Sequence, residues 1–359
     1  MPKFTTGWYN LDMQDKKIRV AINGAGRIGR AFLRLSQNVP EIELVAINDL
    51  GDIENIAYLL KYDTVYGSAQ FSISVSEDKT NLLINNKEVK YLSIKEPKEL
   101  PWKDMNVDVV IEATGAFNSF QKSNAHIEAG AKRVIITAPV KNDESDLSNV
   151  QGETILMGIS DEKLSACQIS SNASCTTNAA APLIQILNEK IGVEKAILNT
   201  IHGYTASQSI VDGPNKKDWK EGRAGAQNII PTSTGAAIAV AKAVPELEGK
   251  FDGLSMRVPI ISGSIADVTF IAKRETSVEE INKILKEAAA LERWQGIFTV
   301  VGDPIVSSDI IGSLFGSIAD LGLTRVVDKN LVKVCAWYDN EMGYTATLIK
   351  HVLKIGKYL

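Results

Sequence analysis

In the run Ser171-Asn172-Ala173-Ser174-Cys175-Thr176-Thr177-Asn178, a cysteine stands among hydroxyls and amides just ahead of an apolar, helix-like stretch at 179–187. A cysteine at a helix start faces free backbone N–H groups and the positive end of the helix dipole, and both favour thiolate over thiol. Cys175 is therefore a candidate nucleophile; the plainer reading is a residue of the helix cap. The chain holds only three histidines. His126 and His351 fall in helix-like stretches and read as surface or packing residues. His202 ends a strand-like run at 195–201, where catalytic groups gather. A second strand end can bring it against Cys175, as a pair in which the imidazole keeps the thiolate charged and acts as acid or base near neutral pH. Alternatively, His202 caps its own loop. Cys167 and Cys335 lack a hydroxyl-rich helix start and read as inert.

A second constellation lies near the N-terminus. The strand-like Ile18-Arg19-Val20-Ala21-Ile22 runs into Asn23-Gly24-Ala25-Gly26-Arg27-Ile28-Gly29 and then a helix-like run at 30–36. A bare G-x-G-x-x-G is a weak signal, but this one has a strand before it, a helix after it, and a second strand at 42–47 ending in Asn48-Asp49. Gly24, Gly26 and Gly29 would let backbone N–H groups approach a pyrophosphate at the helix N-terminus. Asp49 falls where a dinucleotide fold places the acid for the ribose hydroxyls. Its charge would repel a 2′-phosphate, and no arginine follows directly, so NAD is expected over NADP.

Further strands at 107–111 and 133–137 flank a helix near 119–129. Thr114 and Thr137 would line the carboxyl edge of a parallel sheet, or serve in ordinary strand-end hydrogen bonds. Alternation over 71–94 with Asn85-Asn86 predicts an antiparallel insertion, and 155–157 reads as another short strand. Beyond His202, a long polar loop at 204–228 is of the kind that is usually functional. Thr232-Ser233-Thr234-Gly235 opens an alanine-rich helix at 236–244, another helix start suited to an anion. Arg223 and Arg257 are candidates to hold phosphate through paired N–H donors, against the alternative of surface ion pairs. Strands at 264–272 and 332–338, with a helix at 278–289, suggest a mixed sheet covered by helices on one face.

These patterns give the fold class: α/β, with a Rossmann-type dinucleotide-binding domain plus an α+β catalytic domain built on a mixed or antiparallel sheet. The expected division is an N-terminal arm at 1–17, an NAD-binding domain at 18–173 and a catalytic, phosphate-binding domain at 174–340. A helix at 341–359 is expected to pack back on the first domain. At 359 residues, two such domains each bury a core. A net charge of -4 argues against nucleic-acid binding, and no stretch nears the ~20 apolar residues that span a bilayer. Three cysteines make no disulfide framework, so a cytoplasmic location is expected. No metal site is expected.

With these residues in view, the chain resembles the phosphorylating glyceraldehyde-3-phosphate dehydrogenase family from Ile18 to the C-terminus. The resemblance rests on the glycine turn at 23–29, Ser-Asn-Ala-Ser-Cys-Thr-Thr-Asn at 171–178 and His-x-Tyr-Thr at 202–205. It extends to Ile-Ile-Pro-Thr-Ser-Thr-Gly-Ala-Ala at 229–237, Met-Arg-Val-Pro at 256–259 and Trp-Tyr-Asp-Asn-Glu-x-Gly-Tyr at 337–344. It implies a homotetramer that uses NAD, glyceraldehyde 3-phosphate and inorganic phosphate, with Cys175 as nucleophile and His202 as its base. It further implies that Ser174, Thr176, Thr205, Ser207, Arg223, Thr234, Gly235 and Arg257 hold the phosphates. Arg27, Ile28, Asp49, Lys95, Thr137 and Asn340 fall where the family contacts NAD, and Pro214 where its NAD-preferring members carry proline. Departures include Ser207 in place of a frequent aspartate, Lys95 in place of an arginine, Ile260 in place of a threonine, and the longer arm. The alternatives are the sister erythrose-4-phosphate dehydrogenase, a semialdehyde dehydrogenase, and a non-catalytic NAD- or RNA-binding protein on this fold. The first is separated by turnover on the two aldehydes; the last is disfavoured by the intact Cys175 and His202.

Overall fold

The computed structural model describes residues 17–140, 150–216 and 218–359, so the expected N-terminal arm lies outside the described residues except for Lys17. The chain divides into two compact units. One runs to Ala173 and takes in Leu348–Leu359; the other is Ser174–Thr347.

The first unit begins with β1 (Ile18–Asn23), whose residues are buried on both faces as a central parallel strand requires. Then come α1 (Arg27–Ser36), β2 (Ile42–Asn48), α2 (Ile53–Lys61), β3 (Ile73–Val75), β4 (Asn81–Ile84) and β5 (Lys87–Leu92). β6 (Val109–Glu112), α3 (Phe120–Glu128), β7 (Arg133–Ile136), β8 (Glu153–Thr154) and β9 (Ile169–Ser171) complete it. The strands form one sheet in the order β3-β4-β5-β2-β1-β6-β7-β9-β8. The antiparallel stretch anticipated at 71–94 is thus no separate insertion. Asn85 and Asn86 do turn it, at φ +50° and +62°, but β5 then pairs parallel with β2 and extends the main sheet. The strand expected at 155–157 is displaced to Glu153–Thr154. Leu156 N–H goes to the Ser160 hydroxyl and Leu156 O accepts from Ile159 and Ser160, which pulls the apolar run out of the ladder.

The glycine turn explains itself sterically. A Cβ on Gly24, at φ +100°, would sit 2.7 Å from Thr114 N, and one on Gly29 would sit 2.0 Å from Gly24 O. Gly26 is different: a Cβ there would meet no protein atom within 4 Å.

The second unit opens with α4 (Cys175–Ile191), whose N-cap Ser174 accepts from Thr177 N–H. β10 (Val193–Gly203), β11 (Ile230–Ser233), α5 (Ala236–Ala243), β12 (Phe251–Val258), β13 (Ser264–Ala272) and α6 (Val278–Ala289) follow. β14 (Phe298–Val301), β15 (Ser317–Asp320), β16 (Arg325–Val327), β17 (Leu331–Tyr338) and the start of α7 (Met342–Gly356) close it. The sheet runs β11-β12-β10-β13-β17-β15-β14, with β16 on β17. β13 alternates strictly between buried and half-buried residues, the period-two signature of one covered face.

Gly29→Ala is expected to lower stability by about 3 kcal/mol, the upper range for overpacking against unyielding backbone, while Gly26→Ala leaves it unchanged. Thermal denaturation of the two variants checks this; equal melting temperatures would refute the steric account.

Candidate active site

Strand register assembles the catalytic row. β10 pairs with β12 so that His202 lies opposite Arg257, and with β13 so that it lies opposite Ser264. Arg257 in turn faces Ile230 on β11, and Ser264 faces Tyr338 on β17. Five strands therefore align Ile230, Arg257, His202, Ser264 and Tyr338 across one end of the sheet. The N-terminus of α4 delivers Cys175 to that row, with Cys175 Sγ 3.4 Å from His202 Nε2. Cys175 is partly exposed, so the thiol is not sealed in the interior.

The other edge of the imidazole is contested. His202 Nδ1 lies 2.6 Å from Gly203 O and 2.6 Å from Arg257 Nη1. With a proton on Nδ1 it donates to Gly203 O, and Nε2 is free to take the thiol proton. Without that proton Nδ1 accepts from Arg257, and Nε2–H points at the sulfur. The guanidinium thus biases which way the proton lies. Arg257 Nε is buried without a hydrogen-bond partner among the described residues, a donor open to an outside acceptor.

Burial, and after it the charge of Arg257, pushes the His202 imidazole down to about 3. Burial likewise pushes the Cys175 thiol up, against the opposing effects of Arg257 and of hydrogen bonds from Thr176. A helix N-terminus alone therefore does not ionise this thiol, as the residue pattern had suggested. Burial disfavours a thiolate and an imidazolium alike, while Arg257 favours the first and opposes the second.

Tyr338, assigned no role from sequence, lies at the end of β17 on the buried face of Val332 and Val334. Its ring meets the His202 ring edge-on, with centroids 5.9 Å apart, and its hydroxyl bridges Thr176 Oγ1 (2.9 Å) and Thr200 Oγ1 (2.7 Å). Burial raises its phenol pKa, so it stays a neutral support for the imidazole. Two residues before Cys175, the buried Ala173 holds φ +54°, a left-handed conformation that costs about 1–3 kcal/mol in a non-glycine residue.

The expected phosphate residues are placed unevenly. Ser174 caps α4, and the Thr176 hydroxyl hydrogen-bonds to that of Tyr338. Thr205 Oγ1 and Ser207 Oγ are 3.1 Å apart, held by the buried Gln208, whose Oε1 accepts from Thr205 N–H and whose Nε2 donates to Ser207. Gln208 was not anticipated. Thr234 and Gly235 head α5, and Gly235 has open space beside its Cα. Arg223 is exposed and paired with Asp212 at 2.8 Å. Such a surface pair contributes little, so releasing Arg223 to another anion costs little.

In the first unit, the N-terminus of α1 has no side-chain cap and no acidic residue in its first turn. Together with the empty space beside Gly26, this is a cradle suited to a pyrophosphate, and the residues present fit NAD. Ile28 lies in that first turn. Arg27 pairs with Asp63 and lies over the Tyr66 ring. Asp49 accepts from Ala25 N–H (2.6 Å) and Gly51 N–H (2.8 Å), so it ties the glycine turn to the end of β2. Lys95 is exposed. Thr114 and Thr137 both hydrogen-bond to Glu112. Asn340 belongs to the second unit, where its Oδ1 accepts from Gly263 N–H and the Ser264 hydroxyl, leaving the amide N–H groups as what it can offer. Neither remaining histidine is a surface residue: His126 is buried against Glu112 and Trp102, and His351 against Ser170 and Asn172.

A dinucleotide-type parallel sheet in one unit, and in the other a cysteine–imidazole pair beside an arginine, define an NAD-dependent oxidoreductase that acts on an aldehyde. Residues 18–120 match the family model "Glyceraldehyde 3-phosphate dehydrogenase, NAD binding domain", and residues 174–340 match the corresponding C-terminal domain. Glyceraldehyde-3-phosphate dehydrogenases of Clostridium acetobutylicum and Mycolicibacterium smegmatis are 44% and 46% identical to this chain. Those matches cover 94% and 95% of the chain and 98% and 99% of the relatives. The Clostridium pasteurianum enzyme of the same name is 45% identical over 92% of the chain and 96% of its own length. The chain belongs to the glyceraldehyde-3-phosphate dehydrogenase family.

His202→Asn should slow iodoacetamide alkylation of Cys175 at pH 7 by roughly tenfold or more, a pKa unit or more of lost thiolate. Because burial raises the thiol pKa, its thiolate should then form only at higher pH, moving the rate profile upward. An unchanged profile would remove His202 from the pair.

Proposed function

We propose that this protein oxidises glyceraldehyde 3-phosphate, with NAD and inorganic phosphate, to 1,3-bisphosphoglycerate. The observation that carries the reading is the 3.4 Å approach of Cys175 Sγ to His202 Nε2, beside an arginine with an unspent donor. In this reading residues 18–173 with the helix at 341–359 are the NAD-binding domain, and 174–340 the catalytic one.

Cys175 Sγ adds to the aldehyde carbon, and its proton moves to His202 Nε2, which Nδ1–H donation to Gly203 O leaves free to receive it. The resulting oxygen is stabilised by the imidazole N–H and the Cys175 backbone N–H. Binding of a phosphate at Arg257 draws the guanidinium off Nδ1 and offsets its charge, making the imidazole a better base when substrate is present. Thr205, Ser207, Ser174, Thr176, Arg223, Thr234 and Gly235 hold the phosphate groups with it. NAD, when bound through Gly24, Gly26, Arg27, Ile28, Gly29, Asp49, Lys95, Thr114, Thr137 and Asn340, supplies the hydride acceptor that turns the thiohemiacetal into a thioester. Inorganic phosphate then attacks the thioester carbon, and the sulfur leaves as thiolate to regain a proton from His202. The Asp49 carboxylate, near the ribose, supports NAD over NADP.

Cys175→Ser should lower NAD reduction by about a thousandfold or more while NAD still binds. In the unaltered protein, turnover should require both inorganic phosphate and the phosphorylated aldehyde, and fall with NADP. Turnover of Cys175→Ser at a substantial fraction of the normal rate, or turnover indifferent to phosphate, would refute covalent catalysis.

The protein works as a homotetramer in the cytoplasm on this reading. Free thiols at Cys167, Cys175 and Cys335 support a reducing compartment. The uncovered face of the second sheet carries exposed Ile197 and Leu254, apolar surface of the kind that closed symmetric assemblies bury. Sedimentation should give four times the chain mass, and Ile197→Glu with Leu254→Glu should reduce it; a monomer in the unaltered protein would refute the assembly.

A further inference from the structure

Beneath the glycine turn lies a carboxylate that the chemistry above does not use. Glu112 ends β6 and is 2% exposed. Its register partner on β1 is Asn23, which in turn faces Asn48 on β2. The protonation of this row follows by elimination. Asn48 Oδ1 accepts from Ile94 N–H, so its Nδ2 donates to Asn23 Oδ1 (2.7 Å), and Asn23 Nδ2 must donate to Glu112 Oε2 (2.6 Å). Trp102 Nε1 carries a proton and donates to His126 Nδ1 (3.0 Å), which puts the imidazole proton on Nε2, donated to Glu112 Oε2 (3.0 Å). Glu112 Oε1 accepts from Thr114 N–H (2.8 Å) and the Thr114 hydroxyl (2.5 Å). Four donors converge on two oxygens, and the carboxylate is acceptor-only. Its backbone carbonyl takes the Thr137 hydroxyl proton as well (3.0 Å).

A buried carboxylate is costly unless fully satisfied, and an apolar residue would fill the space more cheaply. We propose that Glu112 is the positioning residue of the cofactor site: its carboxylate takes the hydroxyl proton of Thr114, as its backbone carbonyl takes that of Thr137, and both threonines are left with lone pairs only. Acceptors cannot bind pyrophosphate oxygens. They suit the donors of a dinucleotide, its ribose hydroxyls and amide N–H groups, and Glu112 thereby sorts the two strand-end threonines to that part of the ligand. Thr114 is further fixed by accepting from Ala116 N–H, so a single lone pair remains. The inference rests on the assignment of the glycine turn and Thr114 to the cofactor.

The test is NAD binding to the full chain, followed by titration calorimetry, for Glu112→Gln, Thr114→Val, the double variant and Gly26→Ala. Glu112→Gln replaces an acceptor with a donor facing Thr114 or His126, and should weaken NAD about tenfold, as for one misdirected hydrogen bond. That loss should vanish in the Thr114→Val background, since Glu112 acts through Thr114; a merely structural role would give additive losses. Wild-type affinity in Glu112→Gln, or additivity in the cycle, overturns the proposal. If Glu112→Gln does not fold, Thr114→Ser and Thr114→Val decide: the first should bind as wild type and the second about tenfold more weakly, and equal affinities overturn it. Gly26→Ala separates the two readings, because its Cβ touches no protein atom. Unchanged NAD binding there refutes the assignment of the turn itself, whereas loss there with none in Glu112→Gln refutes only the positioning role.

Discussion

The parallel pairing of β10 with β12 is the constraint on which the chemistry depends. It alone sets His202 against Arg257, and the antiparallel pairing of β10 with β13 sets it against Ser264. A slip of one residue would turn His202 to the opposite face of the sheet and bring Ile201 or Gly203 to Cys175. The slip is prevented by packing: Leu198, Thr200 and His202 point into the buried face with Ala266 and Val268 of β13 and Val334 and Ala336 of β17, all nearly without exposure. The Cys175–His202 distance is thus a consequence of the apolar packing on either side of the imidazole.

Fixing an imidazole this way carries an electrostatic cost, since the burial that holds it also opposes its charging. The same holds for the thiol. Burial thus works against the charged form of each residue, and their 3.4 Å separation is what lets a proton pass between them. Arg257 bears on both partners, favouring a thiolate and opposing an imidazolium, which makes the site responsive to whatever anion occupies that guanidinium. Tyr338, kept protonated by burial, adds shape without adding charge.

Much of this was legible in the residue order. The cap-like Ser174-Cys175, the glycine turn and the strand end at His202 are local patterns, and local patterns survive without knowledge of the fold. What escaped was non-local. Tyr338 looks like core because period two places it on the buried face, and only the pairing of β17 with β13 shows that this face reaches the imidazole. His126 reads from its helix as a surface or a packing residue, and only its enclosure by Trp102, 24 positions away, and Glu112 decides for packing. The short strand expected at 155–157 failed because the Ser160 hydroxyl competes for Leu156 N–H, a side-chain bond that hydropathy cannot reveal. The helix-dipole argument for a thiolate was sound as to sign and incomplete as to magnitude, because burial was not visible.

Set side by side, the two sheets end in polar rows of opposite character. Asn48, Asn23 and Glu112 form a row whose side-chain protons run inward to one carboxylate, which also takes the Thr114 hydroxyl proton, while the Glu112 backbone carbonyl takes that of Thr137, so lone pairs are what remain at both threonines. Arg257 and His202 form a row in which the buried Arg257 Nε–H has no hydrogen-bond partner among the described residues. An edge of lone pairs receives hydroxyls and amides; an edge of N–H groups receives anions. A dinucleotide presents sugar hydroxyls and a phosphorylated aldehyde presents anionic oxygens, and edges of these two kinds suit the two. Strand register supplies both, because it decides which polar side chains stand next to one another and therefore which way each proton points.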